Sequence, residues 1–477
     1  LTDDHLFILR RMFYGHDRIR IEKKLAGGYS SAVLLLITPT NSEGMEESPI
    51  VAKIDAQDLI LDEAQRYDLH VRGSLPPLTA RLEDKPTTAD SCEVAGLRYT
   101  FVAPTNGRDG SPMSVRELGV EKIGNWLRSE LFPTFGKTWW MQRHSFRFQV
   151  WSEYDYLLPP VLTIEFQQED PANPPKHILR DPIRRGKLAE IEYGDVIAIE
   201  GFTVQRVFRD KGIIHIANGR GSDAAKRAYK ISVRGMNLSD AAYYRGEPIE
   251  RIVGRVWRNR DELLQASAGA IYPDFDTHAA ILPGIPEADP LPNPLMSYTA
   301  LLEQYVNGTL SKIHGDLHLG NVLVGPHETP FLIDFAEARM GHVLMDWASL
   351  EMSALAEFVV PVYGSNWESV REAARGMYAI NRGEAIPTSN PEYQAAFRPV
   401  AAIRSVAGEC LNTPEKWGEY QVALAMCSLR AITWETMSVG GRRLLLYTAA
   451  LAFHELQTRS SRTAFDTDTD LGGTPLS

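Results

Sequence analysis

The chain has 477 residues, more than one hydrophobic core usually organises, so two lobes are expected. It is 44% hydrophobic and 23% charged, and no apolar run approaches the roughly 20 residues that cross a bilayer, which excludes an obvious membrane span. A formal net charge of -11 argues against a nucleic-acid binder that uses its whole surface, because phosphate binding draws on concentrated Lys and Arg.

In chain order, Leu1 to Arg11 mixes acids and bases around a short apolar patch and does not resemble a secretory signal. The next ninety residues read as a small β-rich unit. Arg18 to Leu25 alternates polar and apolar, while Ser31 to Thr38 and Pro49 to Ile54 are compact apolar strands. The turn Ala26-Gly27-Gly28-Tyr29-Ser30 separates the first two. Asp58 to Arg72 has an acidic start and helical spacing, and strands are expected at Leu78 to Leu82 and Leu97 to Val102. Pro104-Thr105-Asn106-Gly107 closes the unit as a linker.

Val115 to Leu127 returns to helical periodicity. From Pro159 short strand-like runs follow: Val161 to Phe166, Val196 to Ile199, Phe202 to Phe208, Ile213 to Ala217 and Tyr229 to Val233. They suggest a small all-β module, OB-like in strand length and Gly spacing. Between Lys176 and Arg234 there are 13 Lys or Arg against 7 Asp or Glu, a local excess of about six positive charges, so the module, whose first reading is a brace for the C-lobe or an oligomer interface, is also a candidate for binding a protein or an anionic ligand. Leu282 to Pro294 is a Pro-rich loop. Helices are expected at Met345 to Val359, Glu368 to Ile380, Tyr420 to Met437 and Arg442 to Leu456, followed by a disordered tail from Ser460.

The chemistry concentrates in Ile313-His314-Gly315-Asp316-Leu317-His318-Leu319-Gly320-Asn321-Val322-Leu323-Val324, followed by Phe331-Leu332-Ile333-Asp334-Phe335. Two short apolar strands joined by a turn form a hairpin. With the turn centred between His327 and Glu328, Asn321 is expected opposite Asp334, next to the loop that bears Asp316. An amide oxygen and carboxylates converging there suit Mg²⁺, a hard cation that takes one or two carboxylates plus substrate phosphates.

These residues resemble the catalytic core of the aminoglycoside phosphotransferase and choline kinase-like family, whose motif is His-Gly-Asp, four residues, Asn, then a hydrophobic strand ending in Asp. The resemblance implies that Asp316 orients and deprotonates an attacking hydroxyl, that Asn321 and Asp334 bind Mg²⁺, and that Asp346 is a structural acid before a helix. His314 and His318 are expected to brace the loop. Lys53, in Ile50-Val51-Ala52-Lys53-Ile54, resembles the strand lysine that pairs with nucleotide phosphates. Its expected partner is Glu63, with Asp62 or Glu22 as substitutes. Gly27, Gly28, Ser30 and Ser31 would cradle phosphate, and adenine would bond the backbone near Phe101 to Ala103.

The implied fold is α+β and bilobal: a small β-rich N-lobe at 1–104, a linker and first C-lobe helices at 105–154, the inserted all-β module at 155–240, a large helical C-lobe at 241–459 and the tail at 460–477. The implied activity is transfer of the ATP γ-phosphate to a hydroxyl of a small molecule, with ATP and Mg²⁺ required. Ala336 stands where protein kinases place Gly, and no Ala-Pro-Glu segment follows, which favours a small acceptor over a protein. A nucleotide-binding regulatory module, as in bacterial signalling or conflict systems, and a protein kinase acting on an associated partner are the alternatives. Acidic candidates for acceptor binding, Glu351 and Glu357, read as ordinary helix-surface residues. Cys92, Cys410 and Cys427 are far apart and form no metal or disulfide pattern, as expected of buried thiols in the cytoplasm.

Overall fold

The computed structural model describes residues 1–25, 32–76, 79–102, 113–180, 183, 185–238, 243–288 and 290–467. The class is α+β, as expected from the sequence. Contacts divide the chain into two units, one made of 1–144, 309–354 and 395–410, the other of 145–308, 355–394 and 411–477.

The first unit is built on an antiparallel four-stranded sheet, β1 (Arg18–Lys24), β2 (Val33–Thr40), β3 (Ile50–Ala56) and β4 (Val94–Thr100), in that order. Its apolar face packs against a helix, Asp3–Met12, that the sequence reading passed over. Thr2 caps this helix by accepting from the His5 amide, and Ile8, Leu9 and Met12 join Leu35, Ile37 and Ile54 in one core. After β3 the helix Gln57–Arg66 continues as a π-helical turn, Tyr67–Val71, close to the helix expected from Asp58 to Arg72. Of the strand expected at Leu78 to Leu82, the described residues 79–82 form none. Thr79 and Leu82 make single bridges to Leu332 and Tyr99 instead, and Leu78 lies outside the described residues.

The hairpin pairs Val322–Val324 with Pro330–Leu332, but its register corrects the expected one. Val322 faces Leu332 and Val324 faces Pro330, so Asn321 lies opposite Ile333, whose amide donates to the Asn321 carbonyl at 3.1 Å, and Asp334 stands one residue further. The cause is the turn. His327 and Glu328 both take left-handed backbone, φ 57° and 58°, and the Gly325 amide donates to the Thr329 carbonyl at 2.8 Å, which centres the loop on His327 rather than after it.

Every residue of the helix Leu344–Ala354 is buried. Glu351, expected on a helix surface, is fully buried there, and Arg404 of the helix Arg398–Cys410 donates to both of its oxygens at 2.5 and 2.8 Å. The two-point guanidinium contact makes burial of the acid tolerable.

The second unit holds one eight-stranded sheet with the order Pro248–Ile249, Phe202–Phe208, Ile213–Ala217, Ile231–Arg234, Leu162–Phe166, Ile252–Asn259, Val196–Glu200 and His177–Arg180. Two pairings are parallel, Ile231–Arg234 with Leu162–Phe166 and His177–Arg180 with Val196–Glu200. Alternate residues such as Ile164, Ile197, Val204, Ile214, Ile231 and Val256 form its core. The strands Pro248–Ile249 and Ile252–Asn259 extend this sheet beyond residue 240.

Helices Trp367–Arg382, Gly418–Ala431 and Val439–Thr467 belong mainly to this unit. The last runs into the segment expected to be a disordered tail, as far as Thr467, and residues 468–477 lie outside the described residues. Within the Pro-rich stretch Ile281–Leu282 pairs with Leu291–Pro292. No helix among the described residues is long and apolar enough to cross a membrane.

Candidate active site

Lys53 points from β3 toward the helix that follows it, because its position in the strand places it on the face that Gln57–Arg66 covers. Its ammonium lies 2.8 Å from Glu63 Oε2, 3.1 Å from Glu63 Oε1 and 3.0 Å from Asp334 Oδ1. Glu63 is 3% exposed and also accepts from the Tyr99 hydroxyl at 2.7 Å. The alternative partners are engaged elsewhere: Asp62 with Arg66, and Glu22 with Arg20 and Thr38.

The electrostatics follow from this arrangement. Burial alone would lower the Lys53 pKa, but Glu63 and Asp334 outweigh it and hold the ammonium above the ordinary lysine value. Burial likewise works to raise Asp334, and Lys53 reverses that, leaving the carboxyl below its ordinary range. For Glu63 burial prevails over Lys53, and its carboxyl is raised. A permanently charged lysine therefore sits between a deep carboxylate and an outer one, the latter on a side chain 41% exposed.

The loop that carries Asp316 is fixed from below by Asp346. Its carboxylate accepts the amides of His314 and Gly315, each at 2.8 Å, and the Trp140 indole N–H at 2.9 Å. Burial pushes the Asp346 carboxyl above the ordinary carboxylate range, against the pull of His314 and these donors. Gly315 has φ +79°, and a Cβ there would collide with the Glu337 carbonyl, so only glycine fits. The His314 ring donates through Nε2 to the Ile333 carbonyl at 2.8 Å, which ties the loop to the strand end before Asp334. His318 accepts the Gly320 amide on Nδ1 at 3.0 Å, while its Nε2 lies 3.9 Å from Asp316 Oδ2, beyond hydrogen-bond length.

Asn321 is 5% exposed, and its amide N–H donates to the Asp316 carbonyl at 2.9 Å, leaving Oδ1 as the end with acceptor capacity. Asp334 takes φ +62°, and the next residue, Phe335, is fully buried against Tyr67, Trp139 and His314. These contacts anchor the strained residue from behind. The donor set fits Mg²⁺: one amide oxygen and one partly exposed carboxylate are the hard ligands this ion takes alongside phosphate oxygens. Among the described residues no group of three or more His, Cys, Asp or Glu could hold a metal by itself.

The sequence matches the family model described as ternary complex associated domain 9 over residues 17–433. The chain belongs to that family. No curated protein matches it. Among solved structures it is similar to a thermostable mutant of aminoglycoside phosphotransferase APH(4)-Ia in ternary complex with ADP and hygromycin B, at 10% identity over 91% of this chain and 98% of that one, with a TM-score of 0.32. The choline kinase LicA from Streptococcus pneumoniae is similar at 10% identity over 94% and 99%, TM-score 0.35. Amicoumacin kinase in complex with AMP-PNP and Ca²⁺ is similar at 10% identity over 95% and 94%, TM-score 0.34.

In this ternary complex associated domain 9 chain, Lys53, Glu63 and Asp334 are in contact, and Asp316 and Asn321 share one loop. Phe101 is half-buried just after β4. Gly27, Gly28, Ser30, Ser31 and Ala103 lie outside the described residues. Tyr99 escaped the sequence reading. It sits at the β4 position paired with Val51, two residues from Lys53 along β3, and that strand register was the signal that could have found it.

Proposed function

We propose that this protein is an ATP-dependent phosphotransferase that moves the γ-phosphate to a hydroxyl of a small molecule. The observation that carries the reading is the Lys53 ammonium held by both Glu63 and Asp334, on the same unit as the loop of Asp316 and Asn321. Lys53 binds nucleotide phosphates, with Glu63 fixing its position. Asn321 and Asp334 would hold Mg²⁺, which supplies positive charge against the phosphates when bound. Asp316 accepts the acceptor hydroxyl proton as the new O–P bond forms and the bond to the leaving ADP oxygen breaks. Asp346, through the His314 and Gly315 amides, keeps the Asp316 loop in place, so catalysis is chiefly positioning. Cys92, Cys410 and Cys427 are buried free thiols, which supports a reducing, cytoplasmic setting.

The test is metal-dependent ATP turnover over a library of hydroxyl acceptors, with Asp316→Asn as control. Acceptor-stimulated turnover that the variant lacks supports the reading. Equal turnover by both proteins removes Asp316 as base. The description of the family as associated with a ternary complex favours one second reading, a nucleotide-binding regulatory module within an assembly. ATP binding without turnover against the whole library would select it.

A further inference from the structure

Lys230 precedes the strand Ile231–Arg234 and lines a cavity of about 330 Å³ in the second unit, at the small end of the range for ligand sites. Leu157, Leu158 and Leu263 supply apolar wall, and Ser267 and Thr433 supply hydroxyls. Both hydroxyl protons are committed to helix carbonyls, of Leu263 at 3.0 Å and Arg430 at 2.8 Å. Lys230 is therefore the side chain lining this cavity with donors to offer. It is half-buried, and its ammonium makes no hydrogen bond or ion pair with any described residue.

The surrounding charge does not satisfy it. Asp155 is the carboxylate within electrostatic reach, and it is taken by Arg260 through contacts of 2.7 and 3.2 Å and by the Tyr229 amide at 2.6 Å. Arg430 and Arg227 add further positive charge near Lys230, although Arg227 also pairs with Asp223. A half-buried ammonium without a partner is costly, and an anion arriving beside it would relieve that cost.

We propose that this cavity binds a small organic anion, its carboxylate or phosphate head paired with Lys230 and its short apolar body against Leu157, Leu158 and Leu263. The site is separate from the phosphotransferase reading and does not depend on it. Burial, then Arg260, and then Arg430 and Arg227, opposed by Asp155, bring the Lys230 pKa down to about 8, so the empty site loses its charge just above neutrality.

The experiment uses the full chain with hexanoate and hexyl phosphate as probes, and hexanol and inorganic phosphate as controls. Thermal unfolding and labelling of lysines by trinitrobenzenesulfonate, mapped by mass spectrometry, are the readouts. One or both amphipathic anions should raise Tm saturably and slow labelling of Lys230, with affinity several-fold weaker at pH 9 than at pH 7, and Lys230→Met should abolish the shift. Which probe is the stronger tells a carboxylate from a phosphate head. If Lys230→Met does not fold, protection of Lys230 in the unmodified protein decides. No saturable shift and no protection with either probe, a shift unchanged in Lys230→Met, or equal effects from hexanol or inorganic phosphate would overturn the proposal.

Discussion

Lys53 Nζ and Asp334 Oδ1 are 3.0 Å apart although 281 positions separate them in the chain. That contact joins the strand β3 to the end of the hairpin. It also leaves the Lys53 charge balanced by one carboxylate from its own sheet and helix and one from the distant segment.

Asp316→Asn should lower acceptor phosphorylation by roughly 10²–10⁴-fold, the usual contribution of a general base, while ATP affinity stays within about three-fold. Asp334→Ala should instead weaken Mg-ATP binding itself. Single-turnover transfer and calorimetric titration of Mg-ATP separate the two outcomes, and a normal Mg-ATP affinity in Asp334→Ala counts against its role.

The pair Lys53 and Glu63, 10% and 3% exposed by side chain, should behave as one unit. Lys53→Met is expected to destabilise by about 3–5 kcal/mol, because it leaves Glu63 buried without its counter-charge, and Glu63→Gln by less, because Asp334 still pairs with Lys53. The double variant should cost less than the sum by about 0.5–3 kcal/mol. Urea unfolding of the four proteins measures this directly, and strict additivity would mean the two groups are not coupled.

How much of this was readable beforehand depends on the range of the interaction. Lys53 and Glu63 are ten residues apart on consecutive elements, and Asp316, Asn321 and Asp334 lie within one loop and hairpin, so short-range pattern together with the family resemblance could name them as candidates. The register was missed by one because no local signal demanded left-handed backbone at His327 and Glu328. Glu351 was read as exposed because its partner Arg404 lies 53 residues away on another helix, a pairing that periodicity does not encode. The cap that Asp346 places on the amides of His314 and Gly315 was likewise a matter of packing. The acid was noted from the family pattern, but not what it holds.

Gly315→Ala should cost about 1–3 kcal/mol, since φ +79° is strained for alanine and its Cβ meets the Glu337 carbonyl. Turnover should fall further than this stability loss explains, because the same backbone positions Asp316. A thermal melt paired with turnover measured well below Tm tests it, and unchanged turnover in a destabilised protein would contradict the positioning argument.

Glu351→Gln should destabilise by about 3–5 kcal/mol by leaving the Arg404 guanidinium buried without its counter-charge. Chemical denaturation reads the change. A loss under about 1 kcal/mol would show that Arg404 finds another partner.

His215 gives a pH signature to the second unit. Burial, then Lys230 and Arg206, lower its pKa from 6.5 to about 4. The folded state thus disfavours the protonated ring, so this contribution is complete above about pH 6.5 and is lost as pH falls toward 4, by at most about 3 kcal/mol. The unfolding free energy should fall less between pH 7 and pH 4.5 in His215→Gln than in the unmodified protein, and an equal fall would refute the assignment.

The three-way contact of Lys53, Glu63 and Asp334 also sets an order of events at the ribosome. At roughly 5–20 residues per second, Asp334 emerges about 15–55 seconds after Lys53. For that interval the nascent β-rich segment must hold its lysine with Glu63 alone, so the outer carboxylate acts as a late clasp that closes only when translation has passed the long intervening stretch.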